Sequence, residues 1–272
     1  MDVFNHILTR LFDALLYPFA GLPPVWGVAF VSILTGAVMV WLFGKLTNQQ
    51  KIRTLKDRIR GRMLEMWVFR DHPRVVLKAQ GQALWSVAKY AACSLRPLVV
   101  LMVPVIVIMI QLQVHYGYRP VKPGDPALVR IVYDGPVSLD AMDVSLETPD
   151  AVAVETPPLR IPEVGEVDFR IRAAVAGEHQ IVAKAGGVEV TKRLCVGGGG
   201  RALSPVRSRR WATRLFHPGE PGLPAGPLES IEVAYPAERV SILGMRLHWL
   251  WPFFVISIVG GLVLKKPFGV EL

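Results

Sequence analysis

The residues able to do chemistry in this chain are few and of two kinds. Hydroxyls and amides sit inside otherwise apolar runs: Ser32 and Thr35 in one, Gln111 and Gln113 in a second, Ser257 in a third. Beside the first run lies a basic group, Lys45, Lys51, Arg53, Lys56, Arg58, Arg60 and Arg62. A polar group in an apolar layer either packs helices together or offers hydrogen bonds to something hydrophilic. A Lys/Arg run either contacts phosphates or forms a solvated helix face that sets membrane orientation. Neither set does covalent chemistry. There is no nucleophile motif, no acidic pair within an apolar run and no His/Glu metal spacing, and His115 and His248 stand alone near run ends. The two cysteines, Cys93 and Cys195, form no CxxC or Cys/His cluster, so the usual zinc spacings are absent. Gly197–Gly200 is not followed by Gly-Lys-Ser/Thr and is not a phosphate loop. No enzyme activity, metal or cofactor is expected.

The elements that must position these residues are apolar runs of membrane length. No charge occurs from Ala14 to Gly44 or from Pro97 to Val114. Between them, Lys45–Arg96 holds twelve Lys or Arg and three acids, a net of +9 that equals the charge of the whole 272-residue chain. Runs of 18 or more apolar residues mark membrane helices. Residues 25–44, 97–114 and 247–264 are therefore expected to be three transmembrane helices. Pro104 should kink the second. Trp26, Trp249 and Trp251 stand where interfacial aromatics stand. Basicity placed beside spans points to topology and anionic lipid, and no DNA partner is expected.

Residues 1–24 should form an amphipathic helix in the membrane interface. Phe4, Ile7, Leu8, Leu11 and Leu15 make its apolar stripe, and Asp2, Asn5, Thr9, Arg10 and Asp13 fall on the other faces. A signal peptide is the alternative, but the basic start and small-residue cleavage site are missing. Residues 45–96 should form a cytoplasmic helical hairpin of coiled-coil type. One stripe is Ile52, Leu55, Ile59, Met63 and Met66. A break at Asp71-His72-Pro73 precedes a second, Val76, Ala79, Ala83, Val87 and Tyr90.

After a Pro/Gly linker, short alternating runs recur at 128–133, 142–146, 151–155, 167–173, 179–185 and 188–196, separated by turn signals. Residues 120–196 should be a small all-β, immunoglobulin-like sandwich, without the Cys…Trp…Cys set. Residues 197–230, with Arg201, Arg207, Arg209, Arg210 and Arg214, read as a flexible linker. A connecting segment, 231–246, precedes the third span, and 265–272 is a tail. The basic side faces the cytoplasm. The hairpin and C-terminus then lie inside, and the N-terminus and sandwich outside.

At this point the layout resembles the YidC/Oxa membrane-insertase superfamily. The likeness rests on the amphipathic helix before the first span, the run WGVAFVSILTGAVMVWLFGKLTNQQ, the segment QQKIRTLKDRIRGRMLEMW and the entry RPLVVLMVP. It covers roughly residues 4–116. The chain differs from bacterial members in having no arginine near Met39, no glutamine–methionine–proline stretch in the second span, and an inserted β-domain. The resemblance implies an insertase or membrane chaperone of a bacterial or archaeal plasma membrane (a cell inner membrane in bacteria). Ser32, Thr35, Gln111, Gln113 and Ser257 would line a polar groove for hydrophilic substrate segments. The implied partners are membrane lipids, nascent membrane proteins with their ribosome, and an unknown extracytoplasmic ligand of the sandwich. The alternative is a non-catalytic envelope scaffold, anchored by its spans, whose sandwich binds the partner.

Overall fold

The computed structural model describes residues 2–47, 49–68, 73–135, 138, 143–198, 202–242 and 244–270. The expected turn at Asp71-His72, Arg201 and the Lys51 side chain lie outside what it describes. The chain divides into two units. One holds the residues up to Val28 together with Met109–Trp249; the other holds Ala29–Ile108 and the residues from Leu250 onward.

The first unit is built on antiparallel β-structure. Its strands are β1 (Pro126–Tyr133), β2 (Val144–Glu147), β3 (Val152–Val154), β4 (Leu159–Ile161), β5 (Glu166–Ala173), β6 (Gly177–Ala185), β7 (Val188–Val196), β8 (Val206–Ser208), β9 (Leu228–Val233), β10 (Val240–Ile242) and β11 (Met245–Leu247). Six form one sheet, ordered β3-β5-β1-β9-β8 with β4 also on β5; β2-β6-β7 form a second, and β10-β11 a hairpin. Strict alternation decides which side chains go inward. Val129, Ile131 and Tyr133 of β1, Val167, Phe169 and Ile171 of β5, and Ile181, Ala183, Val190 and Leu194 of β6–β7 are buried in one core shared by both larger sheets. Register follows, with Ile131 opposite Val167 on one side and Ile231 on the other. Gly186 and Gly187, at φ 55° and 77°, make the two-residue turn between β6 and β7 that only positive-φ residues fit.

Residues expected to be a flexible linker belong to this core instead. β8 and β9 pair with each other, β9 pairs with β1, and α5 (Trp211–Phe216) lies between them in sequence. Leu203, Leu223 and Leu228 are buried. The excursion is also closed at its base. The Arg119 N–H donates to the Pro236 carbonyl at 2.9 Å, and that of Glu238 to the Gly117 carbonyl at 3.0 Å.

Helix α1 (Asp2–Leu16) is amphipathic, but the face it buries is not the apolar stripe. Asn5, Thr9, Phe12 and Leu16 are buried, while Ile7 and Leu11 are 61% and 60% exposed. The polar Asn5 and Thr9 thus face the protein.

The second unit is helical. Helix α2 (Pro24–Leu46) begins in the first unit and has 23 residues, about 35 Å of helix. It is followed by α3 (Gln49–Val68) and α4 (Pro73–Tyr116). The expected boundary at residues 96–97 is absent: α4 is one helix of 44 residues that carries both Pro97 and Pro104 inside it. Each proline removes one backbone hydrogen bond, a loss a long apolar helix survives. Helices α2 and α4 are each long and apolar enough to cross a membrane. The expected third span is shorter. Helix α6 (Leu250–Leu264) has 15 residues, about 22 Å, because β11 takes residues up to Leu247 and Pro267 follows closely. In the hairpin, Leu55, Ala79 and Ala83 are buried as expected; Met63 and Val87 are exposed. The Lys56 ammonium lies 5.8 Å from the Tyr90 ring centre, so α3 and α4 run back alongside each other.

Candidate functional site

The polar groups of the apolar helices fall into two sets. In the helical unit, Thr35 is buried and its hydroxyl donates to the Val31 carbonyl at 2.7 Å, one turn back on its own helix. Ser32 is fully buried. The Ser257 hydroxyl donates to Phe254 O at 3.1 Å. Gly36 explains this arrangement: a Cβ there would sit 2.5 Å from the Ser257 carbonyl oxygen and 3.2 Å from Gly261 N. Helices α2 and α6 therefore cross in backbone contact at Gly36, Ser257 and Gly261, a packing that only small residues allow. The Thr35 and Ser257 hydroxyls bond within their own helices, and neither Ser32, Thr35 nor Ser257 lines the cavity described below.

Gln111 and Gln113 belong to the first unit, at the far end of α4, where the helix meets α1 and the residues before α6. The Gln113 side-chain Oε1 accepts the Trp249 indole N–H at 2.9 Å. Gln111 is 1% exposed, and its Oε1 has no hydrogen-bond partner among the described residues. His115, which the sequence alone places as an isolated interfacial residue, ties these elements together. Its Nδ1–H donates to the Gln111 backbone carbonyl at 2.7 Å, and Nε2 faces the Asp13 carboxylate at 3.0 Å. That hydrogen bond holds the Asp13 carboxyl below the usual carboxylate range, against a smaller opposing effect of burial. No local signal identifies this pair, because its members stand 102 positions apart.

Arg207, Arg209 and Arg210 are not a loose basic patch. Arg207 donates to the Pro221 carbonyl at 2.9 Å and to Thr191; Arg209 donates to Gly226 O at 2.8 Å and pairs with Asp134; Arg210 pairs with Glu229 at 2.7 Å. Beneath them is a buried ion pair. Lys192 is 1% exposed, and its ammonium donates to Glu220 Oε2 at 2.5 Å and to Ser204 O at 2.6 Å. Glu220 Oε1 accepts the Arg193 N–H at 2.9 Å. Burial pushes the Lys192 amine down from its ordinary range, and the Glu220 carboxylate opposes that.

Glu220 and Arg193 also form one wall of a cavity of about 720 Å³. The opposite wall is α1, through His6, Arg10 and Asp13, with Tyr17 just beyond its end; Glu178 on β6 adds a further acid. Both charge signs line it.

The basic hairpin carries its cations outward. Lys45, Arg53, Arg58 and Arg60 are exposed, and Arg60 lies 3.9 Å from Asp57. Arg62 pairs with Glu65 at 2.5 Å, and Lys89 stands 5.1 Å from the Trp85 ring centre. Exposed pairs of this kind contribute about 0–1 kcal/mol each, so they add little to the stability of the hairpin. Among the described residues no group of three His, Cys, Asp or Glu could hold a metal ion.

No protein-family model matches this chain, and neither a curated protein nor a solved structure matches it.

Proposed function

We propose that the chain is an integral membrane protein of the insertase or membrane-chaperone class. One observation carries this reading. Two helices of membrane length, α2 and α4, are joined through a basic helical hairpin, and α4 runs unbroken from that hairpin through its apolar stretch. Exposed apolar side chains support the membrane part: Ile33, Val38 and Trp41 on α2, and Val99, Val103 and Ile106 on α4. Such faces need lipid or a partner to cover them. The YidC/Oxa resemblance of residues 4–116 supports the class. On this reading the hairpin lies in the cytoplasm and receives nascent chains with their ribosome, while the β-unit, a sandwich of immunoglobulin-like type, lies outside. The third core helix is α6, short for a span and reaching the membrane edge only with help from its flanks. The polar contact groups are those at the end of α4: Gln111, with its unpaired Oε1, and Gln113. Hydrogen bonding there lowers the cost of moving a hydrophilic segment through lipid, which is several kcal/mol per unsatisfied backbone group. No bond is made or broken.

A second reading has its own support. The backbone contact at Gly36 and Ser257 suits spans packed as an anchor, and the β-unit carries the charged cavity. The chain is then an envelope scaffold that binds through that unit. Photo-crosslinking in living cells separates the two. With the crosslinker at Arg58 of the hairpin and, separately, at Gln113 of α4, an insertase gives adducts with newly made membrane proteins. Adducts confined to the chain's own helices and to lipid at both positions sink the insertase reading and leave the scaffold.

A further inference from the structure

The hairpin carries an apolar flank that its own packing does not use. Leu55 on α3 and Ala79 and Ala83 on α4 are buried along the seam between the two helices. At about 100° per residue from Leu55, Met63 and Trp67 fall roughly 80–120° round α3, to one side of that seam. The same turn from Ala79 places Val87, Leu84 and Leu77 roughly 80–160° round α4. Because the chain reverses between the helices, equal turns from the seam lead to the same side of the hairpin. Heights match as well. The Lys56 ammonium lies 5.8 Å from the Tyr90 ring centre, so, counting on from there, Met63 stands level with Ala83 and Trp67 with Ala79. All five apolar side chains are exposed, Trp67 by 75% and Leu84 by 64%. The other flank is charged: Arg58 and Glu65 on α3 and Lys78 and Lys89 on α4 fall roughly 60–100° the opposite way.

Lipid does not reach this flank. Helix α4 is continuous, and Leu84 and Leu77 lie about 20 Å and about 30 Å along it from Pro97, where the charge-free stretch begins. A second copy of the hairpin meets like charge, since Lys45–Arg96 carries a net +9. Arg60 borders the apolar flank, its side chain 77% exposed and 3.9 Å from Asp57. Two antiparallel helices with an apolar flank form a groove that the apolar face of a third helix fills. Acidic residues at the edges of that third helix answer the positive field of the segment.

We infer that this flank docks an amphipathic helix of a partner protein, one with an apolar face and acidic edges. Its apolar face lies over Met63, Trp67, Leu77 and Leu84, and its acids run along the Arg60 side. The inference rests on the reading that α4 enters the membrane near Pro97, and it holds for an insertase and for a scaffold alike.

The test uses the full chain in phosphatidylcholine nanodiscs, with empty discs as the blank, and two fluorescent helical peptides. Both carry leucine at helical spacing; one has glutamate at its polar positions and the other lysine. The glutamate peptide should bind one to a chain, about tenfold tighter than the lysine peptide at low salt, with the gap narrowing as salt rises. Trp67→Ala combined with Leu84→Ala removes two exposed side chains and should weaken the glutamate peptide about tenfold with the melting temperature unchanged. Equal binding of the two peptides, or undiminished binding by the variant, overturns the proposal. So does a dimer of the chain that the same variant dissociates, which makes the occupant a second copy. Labelling of Trp67 or Leu84 by a photoactivatable phospholipid in the discs also overturns it, because the flank then lies on lipid. A chain that stays soluble without discs or detergent, yet binds the glutamate peptide, loses the membrane reading and keeps the docking face.

Discussion

At the scale of single residues, stability in the β-unit concentrates on Lys192 and Glu220. Removing one member of a buried pair leaves an uncompensated charge, at a cost of about 3–5 kcal/mol. Lys192→Met should therefore lower the unfolding midpoint in denaturant by far more than Arg210→Ala, since the Arg210 side chain is itself 66% exposed. Equal effects would mean that the buried pair does not close the 202–227 excursion. Asp13 gives a pH signature. Its carboxyl is held low in the folded chain by His115, so the stability it contributes is fully present above the unfolded value, near pH 4. That contribution disappears as pH falls through the lowered folded value. Asp13→Asn should thus be destabilised relative to the parent at pH 6, and the gap should close in the acid range below about pH 4. A gap that widens on acidification would refute the pairing.

At the scale of elements, the contact between α2 and α6 depends on the missing side chain of Gly36. The Ser257 carbonyl lies where a Cβ would go. Gly36→Val must push the helices apart, and overpacking of this kind costs about 1–3 kcal/mol. The same change at Gly61 or Gly81 on the hairpin, where nothing lies within 4 Å, should shift stability only by the difference in helix propensity, a few tenths of a kcal/mol in favour of valine. Thermal unfolding in detergent measures both. Helix α4 is the other element that matters. Its continuity through Pro97 and Pro104 makes the hairpin and the apolar stretch one rod of about 66 Å. A pair of glycines at Arg96-Pro97 would decouple them, and on the insertase reading that lowers crosslinking from Arg58 while leaving the β-unit folded.

At the scale of the whole molecule, the β-structure is an insertion with closed ends. Gly117 and Glu238 are joined by a 3.0 Å hydrogen bond, and Tyr118 bridges Ala237. Replacing residues 119–236 by a short Gly/Ser loop therefore leaves the flanking chain ends where they are. Cutting at 196 or 230, the limits a local reading suggests, would strand β9 without β1. On the insertase reading the excised protein still inserts into membranes and still crosslinks to nascent chains from Arg58. Loss of crosslinking with insertion intact would shift the function to the β-unit.

Much of this molecule is legible in local pattern. The charge-free runs, the basic segment between them and the alternation of β1, β5, β6 and β7 are periodic, and period alone decides helix or strand and the inward face. Tertiary structure decided the rest, for reasons that lie outside any window of sequence. Polar Asn5 of α1 turns inward because α5 offers the Arg214 carbonyl, 209 positions away, to its side-chain amide. Residues 202–227 look like linker, being rich in Arg, Pro and Gly, yet they are ordered by Glu220 reaching back to Lys192 and by arginines reaching β7 and the β1 end. His115 meets Asp13 across 102 residues. An apolar pattern names a buried face by its own composition, whereas the inward turn of polar groups such as Asn5 and Lys192 depends on partners that the fold brings to them.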